Sequence, residues 1–74
     1  MSPEKLVRMA NQIGLFFKTQ NTTRAPAEIA DHLVKNWDPM MRRAIVAHWR
    51  DGGAGLDPLV AEAVAMLPQA KPAG

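Results

Sequence analysis

The chain has 74 residues, no cysteine, 47% apolar residues, and nine basic against seven acidic side chains for a formal net charge of +2. That length allows one small domain, whose single core supplies little net stability by itself. The missing cysteines exclude disulfides, thiolate zinc sites and iron–sulfur clusters, which leaves a good helical core or a partner protein as the support.

The apolar content is ordinary for a globular domain, and the mixed charge does not by itself point to nucleic acid. Arg8, Asn11 and Gln12 interrupt the N-terminal apolar positions, so no secretory signal is expected there. No apolar run approaches the roughly 20 residues of a membrane span. With cysteine absent, a reducing cytoplasmic setting without membrane contact is the expectation.

Ser2-Pro3 supplies an N-cap residue and a first-turn proline for helix 1, expected over residues 3–19. Leu6, Met9, Ala10, Ile13, Phe16 and Phe17 recur at helical spacing and make its apolar stripe, while Val7 and Leu15 fall outside it. Gly14 weakens this helix slightly. The polar stretch "QNTTRAP" reads as a loop. Helix 2 is expected over 26–37, with Ile29, Leu33, Val34 and Trp37 inward and Glu28, Asp31 and Lys35 wet.

Asp38-Pro39 ends helix 2 and opens helix 3, expected over 39–50, because proline keeps the preceding residue out of the helical region. Ala47, Met40, Ala44, His48, Met41, Ile45 and Trp49 span about half of its circumference at 100° per residue, with Val46 outside even that arc. Arg42, Arg43 and Arg50 mark the wet side. Either helix 3 is central to the bundle, or part of it faces another protein. "DGGAG" ends it, and Asp57-Pro58 opens helix 4, expected over 58–67 and lined by Leu59, Val60, Ala63, Val64 and Leu67. Pro68 stops that helix, and residues 68–74 read as a flexible tail. The reading is all-α: a small bundle of four short helices forming one domain over 1–67.

The apolar surface exceeds what so small an interior absorbs. Val7, Leu15 and Met66 lie beyond the main stripes, and Met and Trp are frequent at interfaces. An obligate or near-obligate subunit is inferred.

Side chains fit for chemistry are sparse. His32 and His48, with Asp31 or Asp51, match no closed metal motif. The hydroxyls Ser2, Thr19, Thr22 and Thr23 sit near the N-terminus or in a loop, without a nucleophile–base pair. "MMRRAIVAHWR" puts Met40 and Met41 where a DNA-reading helix presents polar side chains, so nucleic acid is disfavoured. "DGGAGLD" lacks the strand before and the Gly-Lys-Ser/Thr ending of a phosphate loop. It reads as a helix C-cap followed by an N-cap. Gly52 or Gly53 is expected at positive φ, Leu56 packs back onto Leu59 or Val60, Asp57 takes the place an anion would take, and no ligand is expected.

"LVRMANQIGLFF", "IADHLVKNWDPMMRRAIVAHW" and "GGAGLDPLVAEAV", in this order and spacing, resemble the delta subunits of the soluble NAD-dependent formate dehydrogenases. The resemblance runs roughly from Leu6 to Leu67. It implies a non-catalytic accessory subunit of a cytoplasmic complex that oxidises formate to carbon dioxide with reduction of NAD⁺. The chain itself would hold no catalytic, metal or cofactor site. Bis-molybdopterin guanine dinucleotide, iron–sulfur clusters and FMN are implied in the alpha, beta and gamma partner subunits, with molybdenum or tungsten as the metal. The alpha subunit is the expected contact, and Leu15, Trp37, Met41, Arg42, Arg43 and Trp49 are the expected interface residues. A transient factor for maturation of the alpha subunit is the alternative, and a small nucleic-acid-binding protein a third.

Overall fold

Four prolines sit in the first turn of four helices: α1 (Pro3–Thr19), α2 (Ala25–Asn36), α3 (Pro39–Arg50) and α4 (Pro58–Ala65). A computed structural model describes residues 2–20 and 23–67, so the segment read as a tail lies outside the described residues. The described residues contain no strand.

The helix starts follow from local chemistry. Ser2 Oγ accepts the Lys5 N–H at 3.3 Å, and Asp38 Oδ1 accepts the Met41 N–H at 2.8 Å. Helix α2 starts one residue earlier than expected. Its cap residue, Arg24, makes no side-chain capping bond, and Pro26 falls in the first turn, where its missing N–H costs nothing. That helix ends at Asn36 because Trp37 and Asp38 are both extended, with ψ of 140° and 164°. Helix α4 ends at Ala65 rather than Leu67. Its last turn tightens to three-residue spacing, with Met66 N–H donating to Ala63 O and Leu67 N–H to Val64 O.

The helices close a ring in the order α1, α2, α4, α3, and α1 also touches α4 across it. Although only two residues join α2 to α3, the extended link turns α3 away, and the two share few contacts. The ring can be taken as two packed pairs, an α1–α3 layer and an α2–α4 layer. Leu6, Ala10, Ile29, Leu33, Ile45, Val60, Ala63 and Val64 fill the interior between them, closed off by Trp37 and Leu67.

Two helices bury a face other than the one their apolar pattern marks. Helix α1 buries Leu6, Val7, Ala10 and Gly14. This face lies about 70° around the helix from the centre of the apolar stripe. The cause is Gly14: a Cβ there would collide with the Val60 Cγ2 methyl, so α1 meets α4 along its smallest residue. Val7, read as partner-facing, is thereby core, and Gly14 sets the approach of two helices. Helix α3 buries Ile45 and Val46, whereas Ala47 and Met40 of the expected arc are exposed. Val46, placed outside that arc, is inside because α3 packs on both α1 and α4. Arg42 is not on the wet side. It is half-buried and shares a helical column with Val46 and Trp49, four and seven positions on.

Candidate docking surfaces and the glycine turn

The turn between α3 and α4 is held by its own groups. Gly53 N–H donates to His48 O at 2.9 Å and Gly52 N–H to Trp49 O at 3.2 Å, the two bonds of a Schellman termination. Gly52, Gly53 and Gly55 have φ of 109°, 64° and 83°, so the expected left-handed glycines are present. Leu56 N–H then donates to Gly53 O at 3.0 Å, and Leu56 packs against the core. His48 Nε2 donates to Ala54 O at 2.8 Å, which gives this histidine a structural partner.

Asn11 completes the turn from α1. Its Nδ2 donates to Gly55 O at 2.9 Å, and its Oδ1 accepts the Asp57 N–H at 3.1 Å. Asp57 is the α4 N-cap residue, but its carboxylate makes no capping bond, contrary to expectation; Asn11 fixes its backbone instead. The amides of Gly52, Gly53, Leu56 and Asp57 are thus already engaged by acceptors of this chain. Among the described residues no group of three or more His, Cys, Asp or Glu side chains comes together, and His32 and His48 serve separate surroundings.

The expected interface residues fall in three settings. Leu15 is 60% exposed on the outer side of α1. Met41 and Trp49 are half-buried with their inner parts against the core, next to half-buried Arg42. Among the described residues no acceptor meets the buried Arg42 Nε. Arg43 points outward from the same helix. Trp37 is only 6% exposed and belongs to the core. The structure groups Met41, Arg42 and Trp49, sets Arg43 beside them, and leaves Leu15 and Trp37 apart.

A second surface lies where the apolar pattern of α1 predicts interior. Met9, Ile13, Phe16 and Phe17 of α1, with Gln12 and His32, line an open apolar groove of about 480 Å³. Phe17 packs edge-to-face on Phe16, with ring centroids 5.2 Å apart, and on the His32 ring at 6.0 Å. Phe16 is 59% exposed. The signal was in the pattern: six apolar positions in one stripe leave a flank uncovered once Gly14 takes the closest contact.

A small helical protein with open apolar surface and half-buried arginine is the class these features define. A family model for the NADH-dependent formate dehydrogenase delta subunit FdsD matches residues 5–64, and the chain belongs to that family: it is a delta subunit of an NAD-dependent formate dehydrogenase complex. Comparison with curated proteins and with solved structures gives no match. Among the described residues no helix is long and apolar enough to cross a membrane.

Proposed function

We propose that this delta subunit docks on the catalytic alpha subunit of a cytoplasmic formate dehydrogenase and stabilises the assembled complex. The observation that carries the reading is the adjacent pair Leu15 and Phe16, each about 60% exposed on a chain this small. Burying a large apolar side chain stabilises by roughly 1.5–3 kcal/mol, so a partner gains by covering them. Met41, Arg42, Arg43 and Trp49 extend the contact, and Trp37 stays within the core.

The larger subunits carry the bis-molybdopterin guanine dinucleotide, iron–sulfur and FMN centres in this reading; without cysteine this chain has no thiolate for an iron–sulfur cluster. Deleting the chain and following complex assembly, metal content and formate oxidation tests it. The expected result is a complex that dissociates more readily and loses activity on dilution. Intact assembly and full activity would refute the reading. Recovery of the chain only on cofactor-free alpha subunit would replace it with a maturation role.

A further inference from the structure

We infer that the α1–α3 layer is the docking face and that its partner surface is rich in carboxylates around an apolar projection. The inference rests on the docking reading above and names the face and the chemistry it selects. The charges of the chain are segregated by layer. Helices α1 and α3 carry Lys5, Arg8, Lys18, Arg42, Arg43 and Arg50 against Glu4 and the two α3 cap residues Asp38 and Asp51. Helices α2 and α4, with their caps, carry Glu28, Asp31, Asp57 and Glu62 against Arg24 and Lys35, and the Lys35 ammonium sits 3.0 Å from Asp31. A net charge of +2 hides this division.

The same layer holds the three most exposed large apolar side chains among the described residues, Leu15, Phe16 and Met40, the last of them 77% exposed, while the less exposed Val34 and Met66 lie on the other. Cations interleaved with large apolar groups match the anatomy of a protein interface, where an apolar centre is ringed by polar contacts and arginine is enriched. A surface that tracks phosphates needs no such apolar centre. The groove along Met9, Ile13 and Phe16, at the edge of this layer where α1 meets His32 of α2, takes the apolar projection, and the cations draw in the acidic surface. The two parts act on different rate constants: charge governs the approach, and the groove governs the residence time.

The test uses the full-length chain and formate dehydrogenase complex purified from cells lacking it, with association and dissociation rates followed across sodium chloride concentration. The double substitution Lys5→Gln with Arg43→Gln is expected to slow association about tenfold at low salt and to flatten its salt dependence. Phe16→Ser is expected to leave association near its original rate and to speed dissociation about tenfold or more. Met66→Gln, an exposed apolar side chain just past α4 on the opposite layer, is expected to change neither rate. Circular dichroism confirms that each variant keeps its helical content. Docking that persists unchanged in both the charge and Phe16 variants overturns the assignment of the face while the docking reading stands. Failure of the unaltered chain to bind at any salt concentration overturns both. Equal retention on duplex DNA or on phosphatidylserine vesicles at about 150 mM salt overturns the choice of a protein partner.

Discussion

Asn11 and Asp57 are 46 positions apart, and the Asn11 Oδ1 accepts the backbone N–H with which α4 begins. With its amide nitrogen on Gly55 O, this side chain works as a peptide group would, closing the α3–α4 turn onto α1. Replacing Asn11 by Leu removes both bonds and leaves the Asp57 N–H and Gly55 carbonyl to solvent. The expected cost is about 1–2 kcal/mol, a fall in Tm of roughly 4–16 °C for a domain this size. Thermal unfolding measures it, and a Tm within a degree of the original would show that the clamp contributes nothing.

Gly14 should be intolerant of the mildest enlargement. Gly14→Ala gains up to about 1 kcal/mol of helix propensity but forces a methyl into the Val60 side chain, at about 1–3 kcal/mol. Net destabilisation is expected, with partial recovery in Gly14→Ala combined with Val60→Ala. Denaturant unfolding of the two single variants and the double variant decides, since contacting residues give a non-additive cycle. Strict additivity would place the cost elsewhere.

Within the glycine turn, Gly53 has the φ that Asn also adopts, and a Cβ there would meet only ordinary contacts, the nearest at 3.5 Å to Leu56. Gly53→Asn should cost under about 1 kcal/mol, and Gly53→Val about 2 kcal/mol, because a β-branched residue resists the left-handed region. Equal losses for the two would mean that space, not backbone conformation, sets the requirement.

Core and surface aromatic residues should part company. Trp37→Ala is expected to remove about 3–5 kcal/mol of stability, enough to unfold the free chain, whereas Phe16→Ala should shift it by no more than about 1 kcal/mol. Unfolding measurements on the free chain, set beside recovery of the assembled complex, separate the two. A large loss of stability in Phe16→Ala would return that ring to the core.

The helix starts are legible in the sequence because each depends on neighbours: a cap and a proline act within one turn, as at Ser2-Pro3 and Asp38-Pro39. The Schellman turn was legible for the same reason. The rotation of α1 and α3 was not. Periodicity records which residues are apolar, while the buried face of α1 was settled by how closely Gly14 lets α4 approach. Apolar pattern alone therefore put Phe16 inside and Val7 outside, the reverse of the structure. Asn11 was missed because its partners lie 44 and 46 positions away and follow from tertiary placement. Arg42 was assigned to water on charge type, although its long aliphatic stem suits a half-buried column beside Val46 and Trp49.

The close seat of Val60 against Gly14 has a consequence for how this subunit tolerates change. Bulk added at position 14 would lever α1 off α4 and swing the Phe16 flank toward the interior, without altering any residue a partner touches. Two selective demands meet at that one position: self-assembly of the chain and recognition of the chain by others. A variant there that still folds should be defective in a trait measured on another protein, and its nearest cure should be a trimmed side chain at Val60 rather than anything on the surface.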